Sequence, residues 1–453
     1  MNRTLSLAAL KLHERITGRH ILARLEELNC TQWLSRDELE ALQHDKLLRL
    51  VEYANQYIPY YQRIFKEIGF QPGDLEPDLS NLDTLPVLTK ALIRDNYQDL
   101  ITTEPERRHQ MSQLATSGST GEPLTFMQDN NFRDVVTADI QRHISWAGWQ
   151  LGDSQAFIWG AKLDPTIRQR LRLAWIDRVW NRFQMDAFAL SPSAMQAFAC
   201  QTLRSNARIL FGYPTSIQVF ARYVRSNLFD GVTFDGVFTT AERLLPVVRQ
   251  EIEEIFHTRV FNRYGTLELG GIACECESHL GLHVSVENNL VEILVDGAPS
   301  DLGQVGEVVV TNLNNYGMPF IRYQVGDFAS FSAESSCPCG RSAPMLASVE
   351  GRSVEALRAA NGSMVWGGFA GAPWRCLTHP SIRQFQVNQK SLKQMVFRLV
   401  PSGEIPRAVL DEIRYAVRHT FGDNCTVEFK FVDEIAPLPS GKHQYAVSEL
   451  NEP

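Results

Sequence analysis

Between about Ser154 and Arg263 short apolar runs alternate with amphipathic ones, and few folds accommodate that pattern. Phe157–Trp159, Ile209–Phe211, Val237–Phe238 and Val260–Phe261 read as strands, while Ser191–Ser205, Ser216–Ser226 and Leu245–Phe256 read as helices. Such strands pair in parallel, because only a helical crossover returns the chain to the same edge. Ligands of parallel sheets sit beyond the strand carboxyl ends. Phe211-Gly-Tyr-Pro-Thr215, Thr239-Thr-Ala-Glu242 and Tyr264-Gly-Thr-Leu-Glu268 each follow a predicted strand, so all three are expected at one crevice.

Upstream, Leu114-Ala-Thr-Ser-Gly-Ser-Thr-Gly-Glu-Pro-Leu124 gathers four hydroxyls around two glycines. Small residues allow close backbone approach, and glycine permits the conformations that turn successive N–H groups inward. The loop suits phosphate oxygens, although it lacks the Lys-Ser/Thr of a P-loop and the glycine spacing of a dinucleotide fingerprint. Taken alone, a cluster of this composition is also an ordinary solvated turn.

The flanks divide the chain further. Residues from Arg36 to Phe70 read as helix, started by the capping-box pair Ser35/Glu38 and interrupted at Ile58-Pro59. Lys90–Leu100 reads as a short helix. Leu290–Phe331 turns to strands of antiparallel character. After Gly351-Arg352 a small α+β unit follows, with strands near Phe385–Val387, Val396–Val400 and Val427–Val432 and a helix at Arg407–Phe421. The boundaries predicted are residues 1–351, helical over about 1–105, and 352–453. A chain of 453 residues fits such a division, since single cores stop growing well below that length.

Net charge is −8, which argues against nucleic acid as the main partner. No apolar run is long enough to span a bilayer, and Lys11 breaks the N-terminal apolar residues too early for a secretory core, so a cytoplasmic location is expected. The N-terminal segment, with Arg3, Lys11, Arg15, Arg19 and Arg24 among leucines and isoleucines, reads as a basic amphipathic helix. Packing on its own domain is the ordinary reading, and lying on a membrane surface is the other. Oligomeric state is not legible. Two C-x-C pairs, Cys274/Cys276 and Cys337/Cys339, read as metal ligands rather than disulfides.

In order, the hydroxyl loop, Tyr264–Glu268, Arg322-Tyr-Gln-Val-Gly-Asp327, Gly351-Arg352 and Ser440-Gly-Lys442 make the chain resemble the adenylate-forming (AMP-binding) superfamily. Leu48–Tyr61 with Leu85-Pro-Val-Leu-Thr-Lys90, Cys276…Gly281-Leu-His283 and Cys337-Pro-Cys-Gly-Arg341 point to its phenylacetate–CoA ligase and CapK-like branch. The resemblance implies an α/β fold with a large N-terminal domain and a small mobile α+β C-terminal one. It implies activation of a carboxylic acid by ATP and Mg2+ and transfer to coenzyme A, or to an amine or hydroxyl in a CapK-like setting.

The resemblance also implies roles. Thr116, Ser117, Gly118, Ser119, Thr120 and Gly121 would hold phosphates, with Glu122 where many relatives carry lysine. Ala241 and Glu242 would lie beside adenine, Tyr264 would stack on it, and Gly265 and Thr266 would belong to the same nucleotide-binding stretch, with Thr266 displaced by one from the usual hydroxyl contact to the α-phosphate. Glu268 would hold Mg2+, with Leu267 at the usual hydroxyl position. Asp327 would accept the ribose hydroxyls, Arg352 would mark the hinge, and Lys442 would act in adenylation. At the hinge Val354 replaces the first acid of the common pattern, leaving Glu355 to match the second. Losses at Glu122, Leu267 and Val354 leave open a nucleotide-binding protein without turnover. Cys276, His283, Cys337 and Cys339 would hold a structural zinc, with Cys274 and His279 as rival ligands. Trp146, Trp149, Trp159, Phe211 and Tyr213 either line an acid pocket suited to an aryl group or belong to the core.

Overall fold

The computed structural model describes residues 3–451 except 77–78, 80, 117–122, 161–166, 335, 353–356, 361–363, 366–376, 378, 380 and 437–443. It opens with helices α1 (Arg3–Thr17), α2 (Ile21–Thr31), α3 (Arg36–Tyr57) and α4 (Pro59–Ile68). Ser35 and Glu38 form the expected capping box at α3. The break at Ile58 arises because Pro59 offers no N–H and instead starts α4, which ends on Gly69 in the left-handed region. Helix α5 (Lys90–Asp95) is shorter than the sequence pattern predicts, and α6 (Pro105–Arg108) is a single turn.

Strands β1 (Met111–Ala115) and β2 (Thr125–Asp129) pair as a hairpin whose connection is the hydroxyl loop. Asp129 then caps α7 (Asn130–Ser145). The alternating region supplies β3 (Gln155–Ile158), α8 (Ile167–Val179), β4 (Arg182–Met185), α9 (Pro192–Ser205), β5 (Ile209–Gly212), α10 (Pro214–Ser226), β6 (Gly236–Thr240), α11 (Pro246–Phe256) and β7 (Arg259–Thr266). The β3–β7 strands pair in parallel, as the pattern predicts.

From β7 the chain reverses. Antiparallel strands β8 (Gly270–Glu275), β9 (Leu282–Val284), β10 (Asn289–Val295), β11 (Ala298–Pro299), β12 (Gly306–Asn312), β13 (Tyr323–Phe331) and β14 (Met345–Arg352) extend the same sheet. Twelve strands run in the order β11-β10-β12-β13-β14-β9-β8-β7-β6-β5-β3-β4. Beyond it lie β15 (Leu357–Arg358), β16 (Met364–Val365), β17 (Ile382–Ser391), β18 (Gln394–Pro401), α12 (Arg407–Phe421), β19 (Thr426–Phe431) and β20 (Ala446–Ser448). The last sheet, β19-β18-β17-β20, carries α12 with Val409, Ile413 and Val417 buried. The fold is α/β with a large sheet-rich part and a smaller α+β part.

Register places Phe157, Phe211, Phe238 and Phe261 side by side across β3, β5, β6 and β7. Their rings follow one another at 5.3, 6.5 and 4.7 Å between centroids. Phe211, Trp146 and Trp149 are buried in this cluster, between the sheet and α7, as the core reading of these residues expects. Trp159 and Tyr213 stack on each other at 4.5 Å, just past the ends of β3 and β5.

Candidate active site

The parallel pairing stops at Gly212 with Thr239 and at Thr240 with Arg263. Tyr213, Ala241 and Tyr264 follow these pairs at the expected crevice, Tyr264 still paired with Ala273 of β8. Ala241 has φ +69°, a costly conformation for a residue with a Cβ and one that clusters at functional sites. The next residue, Glu242, turns its carboxylate onto the first turn of α10, accepting from Thr215 Oγ1 at 2.7 Å and from the Thr215 N–H at 3.3 Å. A helix N-terminus favours a negative charge there. Burial pushes the Tyr213 hydroxyl up to about 12, and the charges of Glu242 and Asp186 add to the effect.

Tyr264 reaches across to the antiparallel half of the sheet, where its hydroxyl donates to Asp327 Oδ2 at 2.8 Å. Asp327 on β13 stands opposite Arg352 of β14, so the carboxylate lies at the start of the expected hinge. Gly265 sits at a register shift in the β7–β8 pair; a Cβ there would lie 2.3 Å from the Gly270 carbonyl oxygen. The tight turn that follows is held by Thr266 Oγ1, which accepts from the Leu269 N–H. It buries Glu268, whose Oε1 accepts from the Tyr323 hydroxyl at 3.0 Å. Thr266 thus caps this turn, while Leu267 is half exposed.

Thr116 closes the base of the hydroxyl loop: its N–H donates to the Leu124 carbonyl and its Oγ1 accepts from the Leu124 N–H, both at 2.9 Å. Ser117–Glu122 and Lys442 lie outside the described residues, as do Val354 and Glu355. Sequence reasoning passed over Tyr323 and Thr215, the partners of Glu268 and Glu242, although both lie within stretches the sequence singles out. It also passed over Arg243. This guanidinium donates to Glu350 O and to Glu350 Oε2, each at 3.0 Å, and so ties the Ala241–Glu242 turn to the residue before Gly351.

A second cluster stands at the other end of β8. The donor atoms of Cys276, His283, Cys337 and Cys339 all lie within 4.8 Å of one another. Cys276 and Cys337 sulfurs are 3.6 Å apart, and Cys339 Sγ is 3.4 Å from His283 Nε2. Zinc–sulfur bonds of about 2.3 Å in a tetrahedron put ligand atoms roughly 3.8 Å apart, so these three sulfurs and one ring nitrogen fit zinc. His283 Nδ1 donates to the Ala343 carbonyl at 3.1 Å, which leaves Nε2 as the coordinating atom. Backbone N–H groups of Ser278 and Arg341 point at the Cys276 and Cys339 sulfurs, each at 3.4 Å. The rivals are placed elsewhere. Cys274 is fully buried, its thiol held far above the usual range by burial, and His279 faces Glu275 at 3.3 Å.

Residues 361–449 match the CapK C-terminal domain family. The whole chain aligns with Protein CapK of Staphylococcus aureus at 23% identity, covering 95% of this chain and 92% of that protein. The phenylacetate-coenzyme A ligase of Thermus thermophilus aligns at 26% identity over 72% of each chain. These similarities support the adenylate-forming superfamily, in its phenylacetate–CoA ligase and CapK-like branch. A crystal structure of 2-hydroxyisobutyryl-CoA ligase in the postadenylation state, in complex with R3-HIB-AMP, shares the fold with a TM-score of 0.74 at 18% identity, over 92% of this chain and 91% of that one. The curated relatives indicate an enzyme of the adenylate-forming, acid–CoA ligase type and support activation of an acid by adenylation. Among the described residues no helix is long and apolar enough to cross a membrane.

Proposed function

We propose that the protein joins a small carboxylic acid to coenzyme A, forming an acyl-adenylate and pyrophosphate from ATP and then releasing AMP as the thioester forms. The observation that carries this reading is the pair of bonds from β7 and its following turn to β13, Tyr264 to Asp327 and Tyr323 to Glu268. Asp327, oriented by Tyr264, offers carboxylate oxygens to the ribose hydroxyls. Thr116 to Gly121 supply N–H and hydroxyl donors to the phosphates. Glu268, set by Tyr323, holds Mg2+, whose charge offsets the repulsion between two reacting anions. Domain boundaries at residues 351 and 352 place Lys442 on the small domain, which brings its ammonium to the α-phosphate for the first step.

The Cys276/His283/Cys337/Cys339 set holds a structural zinc. Four protein ligands leave no position for water, so the metal fastens the turn after β8 to the loop before β14 rather than taking part in chemistry. The CapK match favours a second reading of the acceptor, an amine or a hydroxyl in place of the thiol. ATP–pyrophosphate exchange measured over a panel of acids tests the first step, and adding CoA or amines identifies the acceptor. Tight AMP binding without exchange for any acid would assign the chain to nucleotide binding alone.

A further inference from the structure

Helix α1 is fastened to the body along one face only. Leu10 is buried among Ile21, Leu25 and Trp180, and Ser6 Oγ donates to the Val179 carbonyl at 3.0 Å. Among the described residues nothing covers the other face. Leu5, Leu12 and Ile16, spaced by seven and four residues along one stripe, are 62%, 53% and 71% exposed. Helix α8 lies alongside, where the Trp175 indole donates to His13 Nδ1 at 3.4 Å. Leu171 and Trp175, four apart and so on one face of α8, are 68% and 51% exposed. Single exposed leucines are ordinary, but five large apolar side chains on two adjacent helices mark an interaction face.

Its charge opposes that of the whole. Helix α1 carries Arg3, Lys11 and Arg15 against Glu14, and α8 carries four arginines against Asp177, in a chain of net charge −8. Exposed apolar side chains interspersed with cations suit the headgroup layer, where anionic lipid attracts the arginines and tryptophan settles at the boundary. A second copy of the chain fits less well, because a two-fold contact would set these cations against their own images.

We infer that α1 and α8 form a docking face for an anionic phospholipid bilayer. Contact is peripheral and reversible. Neither helix contributes a residue to the nucleotide site, so the face holds the enzyme at a surface without altering its chemistry.

Flotation of the whole protein with vesicles tests this. Phosphatidylcholine vesicles containing about 30% phosphatidylglycerol should carry the protein at low salt, and pure phosphatidylcholine should not. Raising salt to about 0.5 M should release it. The pairs Leu12→Ser/Trp175→Ser and Arg15→Glu/Arg172→Glu should each weaken partition at least about tenfold, with melting temperature and pyrophosphate exchange unchanged. Equal partition onto neutral and anionic vesicles, no partition onto either, or partition that survives both double substitutions overturns the inference. So does light scattering that shows a dimer which Leu12→Ser/Trp175→Ser converts to monomer, because the face then belongs to a second copy.

Discussion

The Tyr264 hydroxyl donates to Asp327 Oδ2 at 2.8 Å, joining a strand end of the parallel half of the sheet to a strand of the antiparallel half, sixty-three residues on. The bond orients the carboxylate from the parallel side of the sheet. Loss of a charged acceptor costs roughly 1.5–3 kcal/mol, about ten- to a hundred-fold in affinity. Asp327→Ala should therefore weaken ATP and AMP alike, since both carry ribose. Tyr264→Phe removes only the orienting hydroxyl and should cost ~1 kcal/mol or less. Calorimetric titration with both nucleotides checks this, and an Asp327→Ala protein that binds AMP normally removes the assignment.

Glu268 is buried beneath the Tyr323 hydroxyl, an arrangement that suits a metal ligand better than a helix-start carboxylate. Glu268→Gln keeps the shape and removes the charge. It should lower magnesium-dependent pyrophosphate exchange by at least about a hundred-fold, or ~3 kcal/mol, and leave AMP affinity within a few-fold of wild type. Tyr323→Phe should raise the magnesium requirement and leave the maximum rate close to wild type. Equal losses of exchange and AMP binding in Glu268→Gln would point to a folding role instead.

For the sulfur cluster, elemental analysis of the purified chain should find about one zinc per molecule. Cys337→Ser should release it and lower the melting temperature, because metal affinity counts toward folding. Cys274→Ala should keep the metal, since that thiol lies outside the ligand set. Full metal content in Cys337→Ser would refute the site.

How much of this was legible beforehand depended on whether local pattern or remote packing decided the outcome. The helix bounds at α12 and the break at Ile58 follow from capping, proline and period, all local properties. The choice of Cys276 over Cys274, and of His283 over His279, is fixed by the β8–β9 pairing and the approach of the Cys337 loop, which spacing alone does not state. Helix α8 was missed because its apolar residues occupy more than one face and so lack helical periodicity. The buried pairing of Arg142 with Asp139 and Glu287 was equally hidden: each reads as a surface charge until α7 is laid on the sheet.

The Arg243–Glu350 pair joins the turn expected beside adenine to the expected hinge. Phe328 pairs with Gly351 and Ala329 with Val349, so Glu350 is the extra residue of a bulge, and Gly351 follows at φ +100°. Bulges re-aim side chains, and this one turns Glu350 toward Arg243. Arg243→Ala should leave nucleotide affinity nearly unchanged and alter the balance of the two half-reactions, by about 1–2 kcal/mol, as for a partly buried two-point charge pair. Arg243→Lys should not rescue it, because an ammonium lacks the planar fork. A double-mutant cycle with Glu350→Gln read on each half-reaction decides the matter: additive losses would show that the pair does not act as a unit.

The role proposed for Lys442 divides the mechanism into two steps. Lys442 lies outside the described residues; after it, Gln386 Nε2 donates to the Gln444 carbonyl, and the Val387 N–H donates to Tyr445 O beside β20. Adenylation builds negative charge around the α-phosphate, and a cation present only in that orientation stabilises the transition state more than the ground state. Lys442→Ala should lower adenylation by two or more powers of ten, about 3 kcal/mol. Given preformed acyl-adenylate, the same variant should complete transfer to CoA at close to the wild-type rate, because the lysine has by then swung away. Arginine should restore little, since its planar fork does not mimic a compact ammonium. Normal pyrophosphate exchange in Lys442→Ala would reduce the residue to a surface charge, and equal loss of both half-reactions would place it in binding rather than in the first chemical step.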